Sequence, residues 1–158
     1  MQTFLPYPDY KESAKCLDDR RLGKQRIESI DILYINLRND GKDLRDVFKK
    51  SDAQSEYLWK RYKNHPAVRM WRHHNWELVK YTICIIEEWI SRGYTDNQLN
   101  ILIEVTKHLN PDNKSKPLFF GEKEFHDSHK SNLLRKKPEY YKQFNWKVKD
   151  NLPYVWMY

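Results

Sequence analysis

Apolar residues recur at helical spacing along most of the chain. Between residues 22 and 37 they occupy one face of a predicted helix, at Leu22, Ile27, Ile30, Leu33, Tyr34 and Leu37. A second set covers much of the circumference of a later helix, at Leu78, Val79, Ile83, Ile85, Ile86, Trp89 and Ile90. No alternating strand pattern runs beyond a few residues, and the chain has only 4 glycines. The pattern predicts an all-α fold, with residues 1–158 forming a single compact helical domain.

Capping and turn signals place the boundaries of the first helices. The first begins after Asp9 or Ser13 and ends at the segment NDG, residues 39–41, with a break near Gly23. The segment SEYLWKRY, residues 55–62, predicts a short helix. A long helix follows from Pro66, or shortly after it, to Arg92, with Gly93 beyond its end. We expect this helix to be central and the best buried.

The last third of the chain predicts shorter elements. Residues 97–109 form a further helix, and the next begins with Asp127 or Ser128 as its N-cap. Pro138 opens one more helical turn, and residues 152–158 form an irregular aromatic tail.

Four polar residues share the face opposite the first apolar set, at Arg21, Lys24, Gln25 and Glu28. Two interpretations are open for Glu28: it pairs with Lys24 or Arg21 on a solvated surface, or it acts chemically on an anion that these cations hold. Arg26 projects from the apolar stripe, and Gly23 costs a helix about 1 kcal/mol relative to alanine. Together they indicate the wall of a pocket.

Charge points to a polyanionic partner. The 29 lysines and arginines outnumber the 22 acids, for a net charge of +7. Nucleic acid is the first candidate; an anionic membrane surface would also suit the charge, but no apolar run approaches the ~18 residues of a spanning helix. The start of the chain has no secretory pattern, and Cys16 and Cys84 are predicted to be free thiols. We expect a cytoplasmic protein.

Rings and cations alternate in the segment WKRYKNHPAVRMWRHHNW, residues 59–76, and again in residues 128–147, ahead of Tyr154, Trp156 and Tyr158. Cations hold phosphates and rings stack on exposed bases. The alternative is that the tryptophans belong to the core and the arginines to the surface. Together with the basic helix, these segments supply the candidate DNA-binding residues: Arg20, Arg21, Lys24, Gln25, Arg26, His65, Arg69, Trp71, Arg72, Lys130, Arg135, Lys136 and Lys137.

Two histidine pairs raise the question of a metal site. His126 and His129 flank Asp127, and His73 and His74 are adjacent. Neither pair has the spacing of a zinc motif, so we expect no metal. The chain also contains no glycine-rich phosphate loop.

Four segments together resemble one enzyme family: QTFLPYPD, AKCLDDRRLGKQRIE, WELVKYTICIIEEWISRGY and HDSHKSNLLRKKPEYYKQF. In this order and spacing they resemble the pyrimidine-dimer DNA glycosylases of the endonuclease V type, especially bacterial and viral relatives that open with QTFLPYPD. The resemblance covers nearly the whole length. It implies a monomeric all-α enzyme that kinks double-stranded DNA and binds a damaged or modified base in a basic cleft, with no obligate protein partner.

The resemblance also implies a mechanism. An N-terminal α-amine attacks the sugar C1′, releases the base and leaves a Schiff base; a nearby glutamate assists, and β-elimination nicks the strand. No metal or other cofactor is required. Here the implied catalytic residues are Met1 and Glu28.

This chain differs from the family pattern at both positions. Members with a small second residue lose the initiator methionine, whereas Gln2 favours its retention, so the nucleophile is the Met1 amine or another amine such as Lys24. The family's adjacent Arg-Glu pair is spread here over Arg26, Ile27 and Glu28. Two other functions stay open: a non-catalytic binder of distorted DNA, and a hydrolytic or RNA-directed enzyme that uses the histidines.

Overall fold

The computed structural model describes residues 1–158 and confirms the all-α prediction. Eight α-helices are joined by turns, without strands: α1 Tyr10–Cys16, α2 Asp19–Asn39, α3 Asp52–Tyr62, α4 Pro66–Met70, α5 Asn75–Ser91, α6 Leu99–Thr106, α7 Lys123–Lys136 and α8 Pro138–Tyr141, with a 3₁₀ turn at Lys142–Phe144. One hydrophobic core of 31 buried residues runs from Phe4 to Tyr141. No helix has the length and apolar character needed to cross a membrane.

The first predicted helix is two helices, and it does not break where expected. α1 ends at Cys16 and α2 begins after Asp18, whose extended backbone and side chain cap the new helix at the Arg21 N–H. Gly23 lies inside α2 without breaking it. A capping aspartate therefore decides the boundary, and the low helix propensity of glycine does not.

Gly23 is explained by helix packing. A Cβ at this position would lie 3.0 Å from Cζ3 of Trp89 on α5, so the indole ring takes the space that a side chain would need. The group that approaches the α2 backbone closely is thus part of the protein and not a ligand.

Replacing Gly23 by alanine should destabilise the fold by about 1 kcal/mol, because overpacking, at about 1–3 kcal/mol, outweighs the helix propensity of alanine. Trp89 cannot easily give way, since it stacks on Tyr94 at 4.0 Å and donates to the Thr95 carbonyl. Urea unfolding measures the effect. In a Trp89→Leu background the same substitution should become neutral or stabilising; an unchanged penalty there would contradict the packing argument.

The predicted long helix from Pro66 to Arg92 is also divided. α4 ends at Met70, and α5 begins at Asn75 after a turn in which His73 has a left-handed φ of 67°. α5 is central as predicted, since it packs against α1, α2 and α6. Its last turn is less buried than expected, with Ile90 47% exposed. Gly93 follows it with φ 88°, in agreement with its predicted place beyond the helix end.

Two further predictions need correction. On α2, Gln25 is buried at 1% exposure and Ile27 is 41% exposed, the reverse of the predicted faces. α7 begins at Lys123 with Glu122 in the N-cap position, five residues before the first of the predicted caps, Asp127 and Ser128. The helical turn at Pro138 and the irregular tail occur as predicted.

Candidate active site

A cationic cleft of about 490 Å³ brings both ends of the chain against α2. Its lining comprises Met1, Gln2, Phe4, Arg20, Arg21, Lys24, Gln25, Glu28, His65, Lys136, Tyr154 and Trp156. Glu28 is the one carboxylate among them. The cleft therefore contains both candidate catalytic residues, Met1 and Glu28, together with six of the candidate DNA-binding residues.

Glu28 faces the first residues of the chain. The Gln2 backbone N–H donates to Glu28 Oε2 at 3.2 Å, which places the carboxylate one residue from the α-amine. Neither Lys24 nor Arg21 forms an ion pair with Glu28, since no lysine or arginine nitrogen lies within 4.0 Å of this carboxylate. Arg21 pairs with Asp18 instead. The surface ion pair that was one interpretation of Glu28 is therefore not formed.

Gln25 links Glu28 to the core. Its Oε1 accepts hydrogen bonds from the Phe4 N–H and the Tyr81 hydroxyl, both at 2.8 Å, and its Nε2 donates to Glu28 Oε2 at 3.4 Å. Because the amide is 1% exposed, Gln25 forms the floor of the cleft and orients its neighbours. The predicted direct contact of Gln25 with DNA does not fit this burial.

Arg21 is held rigidly at the cleft. Its Nη1 donates to Asp18 Oδ2 at 2.7 Å, and the Tyr141 hydroxyl donates to the same oxygen at 2.7 Å. Burial alone would raise the pKa of Asp18, but the hydrogen bonds from Tyr141 and Arg21 bring it below its ordinary value. Asp18 therefore stays ionised and fixes the guanidinium of Arg21 in one orientation.

His65 lines the same cleft as Met1. Its Nδ1 accepts from the Ala67 N–H at 3.1 Å, as the N-cap of α4. Burial, and then the positive charge of the chain's amino terminus, lower the pKa of His65. The pKa of Lys136 is likewise lowered by burial and by the charges of Arg21, Arg135 and Lys24. These shifts mark a region that favours a bound anion.

A second groove of about 310 Å³ adjoins the cleft along the C-terminal tail. Tyr154 and Trp156 line the cleft, whereas Tyr158 lines the groove with the predicted residues Arg69 and Arg72. The Arg69 guanidinium stacks on the Tyr158 ring at 3.7 Å. Neither arginine has an ion-pair partner within 4.0 Å, so both charges are available to a ligand.

Other predicted contacts lie elsewhere. Trp71 is fully buried and donates from Nε1 to Thr3 Oγ1 at 2.9 Å, so this ring belongs to the core and does not stack on a base. Arg26 pairs with Asp96 and lies over the Trp89 ring, in a shallow groove on the other side of Glu28.

The basic residues of the α7 region are partly engaged within the protein. Lys130 pairs with Asp127, Lys137 lies over the Tyr140 ring, and Arg135 contacts Asn132 and carbonyl groups of the tail. Lys136 alone among them lines the cleft.

The histidines do not form a metal site. His126 and His129 are buried and bind the Leu5 peptide, while His74 contacts the Ser115 carbonyl. No group of three or more histidine, cysteine, aspartate or glutamate residues is arranged to hold a metal ion.

Sequence reasoning missed four wall residues of the cleft: Gln2, Phe4, Tyr154 and Trp156. The tail was predicted to be aromatic, but nothing in its spacing shows that it folds back onto residues 1–4. Burial raises the pKa of Tyr154 to about 12, with the nearby Gln2 amide acting in the opposite direction. The concentration of aromatic residues in the tail was the one sequence feature that could have indicated its part in the cleft.

The model of the family described as pyrimidine dimer DNA glycosylase matches residues 1–102. The chain belongs to this family. No curated protein and no solved structure matches it. The glycosylase is accordingly a DNA-repair enzyme with DNA as its substrate, and the matched region includes Met1, Glu28 and the whole of α1–α5.

Proposed function

We propose that this glycosylase excises a damaged pyrimidine, of the pyrimidine-dimer class, through a Schiff base between the Met1 α-amine and the sugar C1′, and then cleaves the strand as an AP lyase. The observation that carries the proposal is the shared cleft: the first residues and Glu28 line the same cationic cavity and are joined by the Gln2 N–H···Glu28 bond at 3.2 Å. Family membership supports the glycosylase step.

The chemistry proceeds in two bond-breaking stages. The neutral amine attacks C1′, the N-glycosidic bond breaks, and the base leaves with the bonding electrons and gains a proton. Opening of the sugar ring gives an iminium ion. Loss of a C2′ proton then expels the 3′ phosphate, and water releases the enzyme. The Glu28 carboxylate stabilises the positive charge that develops at C1′ and carries protons between these steps.

Phosphate binding is assigned to the cations around Glu28. Arg20, Arg21, Lys24 and Lys136 surround the cavity, and Arg21 is pre-oriented by Asp18. The free charges of Arg69 and Arg72 extend this surface along the tail. In this arrangement the cations hold the strand, while the amine and Glu28 act on the sugar.

Replacing Arg21 by glutamine should weaken DNA binding and make it less sensitive to salt. Loss of one phosphate contact reduces the slope of log K against log salt by about 0.9. Fluorescence anisotropy with a duplex at several salt concentrations measures the slope. Arg45→Gln, which removes an equal charge from a distant loop where Arg45 pairs with Asp43, is the control and should leave the slope unchanged. Equal slopes for both variants would remove Arg21 from the DNA contact.

Borohydride trapping tests the nucleophile. With abasic or dimer-containing DNA, reduction should leave a covalent protein–DNA adduct, and peptide mapping should place it on Met1 of a protein whose intact mass shows a free amino terminus. An adduct on Lys24 would reassign the nucleophile. Absence of both adduct and released base would overturn the proposal and leave the non-catalytic DNA binder.

A further inference from the structure

We propose that His126 and His129 of α7 are positioning residues that hold the backbone at Leu5 and thereby position the Met1 amine in the cleft that contains Glu28. The inference rests on the proposed amine chemistry. It assigns a role in that chemistry to a helix that lies beyond the part of the chain matched by the family model.

The two histidines bind the two peptide groups that flank the Leu5 α-carbon, one histidine to each group. The Leu5 N–H donates to His129 Nδ1 at 3.0 Å, and His126 Nδ1 donates to the Leu5 carbonyl at 2.8 Å. The second nitrogen of His126 accepts from the Gly121 N–H at 3.0 Å, which fixes the ring and its tautomer. Leu5 itself is completely buried. Both polar backbone atoms of this residue are therefore held by neutral imidazoles.

Side chains also hold the residues before Leu5. Trp71 donates to Thr3 Oγ1, and Gln25, whose Oε1 is held by the Tyr81 hydroxyl, accepts from the Phe4 N–H. The segment joins no helix or strand, so its path depends on these contacts. Met1 lies four residues before Leu5, a reach of up to about 14 Å for an extended chain. If the hold at Leu5 were lost, only the contacts at Gln2, Thr3 and Phe4 would position the amine, so its place in the cleft would be less precisely fixed.

His129 also connects the peptide to the cleft wall. Its ring makes edge contacts with Phe4 at 6.0 Å and with Tyr154 at 5.7 Å between centroids, and both of these residues line the cleft. One imidazole thus touches the backbone that carries the amine and the side chains that shape the cavity.

The burial of His129 is costly for a residue that only fills space. It is fully buried, and its Nε2 has no hydrogen-bond partner. A leucine would remove this unpartnered atom but would leave the buried Leu5 N–H without its acceptor. The imidazole therefore fixes the backbone at Leu5, from which the segment carrying the amine extends into the cleft.

The test compares two replacements of His129. His129→Leu removes the acceptor, whereas His129→Asn retains an oxygen near the position of Nδ1. With saturating abasic DNA under single-turnover conditions, the leucine variant should form the borohydride adduct about 10²-fold more slowly, the cost of a displacement of about 1 Å at a reacting group. Its affinity for duplex carrying a non-reactive abasic analogue should match that of the wild type. Asparagine should restore most of the rate.

Two replacements of His126 repeat the comparison, so the test does not depend on whether a single variant folds. His126→Asn retains a donor for the Leu5 carbonyl and His126→Leu does not. The leucine variant should therefore form the adduct more slowly than the asparagine variant, as at position 129. Thermal melting of each variant shows whether the fold survives. Adduct formation at the wild-type rate in a folded leucine variant, or a parallel loss of rate and DNA affinity, would overturn the inference. If the wild type itself forms no adduct, the proposed function fails instead.

Discussion

Glu28→Gln should slow base release by about 10²–10⁴-fold, the range typical of losing a general acid–base group. The amide has nearly the same shape and can still accept the Gln2 N–H, which the carboxylate binds at 3.2 Å, so the local structure should persist. It cannot carry the proton or stabilise a cation at C1′. DNA affinity should stay unchanged or rise, because a negative charge leaves the cationic cleft.

Single-turnover base release and anisotropy with the same lesion-containing duplex measure the two quantities separately. Glu87→Gln, an exposed substitution on α5 that removes an equal charge, is the control and should behave as the wild type. A Glu28→Gln enzyme with the wild-type rate would show that the acid lies elsewhere. Loss of affinity together with rate would indicate that Glu28 maintains the cleft and does not take part in the reaction.

Acid should destabilise the fold through His129. Burial, and then the neighbouring His126, lower the pKa of His129 to about 3. The unfolded chain takes up this proton near pH 6.5, whereas the native protein does so only near pH 3. The stability that neutral His129 contributes to the fold is thus fully present above about pH 6.5 and is lost as the pH falls towards 3. It amounts to at most about 1.4 kcal/mol per pH unit, or about 5 kcal/mol in total.

Urea unfolding between pH 7 and 4.5 tests this linkage. His129→Asn has no group to titrate there, so its stability should fall less steeply with acid than that of the wild type. The difference between the two proteins isolates the histidine, because carboxylates such as Asp18, whose pKa is also lowered, contribute equally to both. Parallel curves would show that His129 accepts a proton in the native state without penalty.

The spacing of apolar residues predicted where the helices lie, but not where one helix ends and the next begins. α2 and α5 follow from spacing alone because each presents a continuous apolar stripe to the core. The break before Asp19 depends on one capping carboxylate, and the break after Met70 lies at a turn in which His73 has a left-handed backbone. A helix break was wrongly predicted near Gly23, because the low helix propensity of glycine is visible in the local sequence. Its packing against Trp89, which explains the glycine, involves a residue far away in the chain.

Site residues could be predicted where the residue type and its place on one helix indicated them. They could not be predicted where their position depends on contacts between residues far apart in the chain. Glu28 and the cations around it could be named from one helix face. Gln25 could not be placed inside, because its partners Phe4 and Tyr81 lie 21 and 56 residues away in the chain. The role of His126 and His129 could not be predicted for the same reason: their partner, Leu5, is more than 120 residues distant.

Met1 and Tyr158 lie at the cleft and groove in which we propose that DNA binds. Their position limits where an affinity tag or a label can be attached. An affinity tag joined to Met1 would turn the amine into a peptide nitrogen and send its own chain through the cleft, and one joined to Tyr158 would leave from the adjoining groove. The turn at Gly41 is a better attachment point, because its left-handed backbone, with φ 78°, faces open space. A fusion inserted there would leave both ends of the chain as they are.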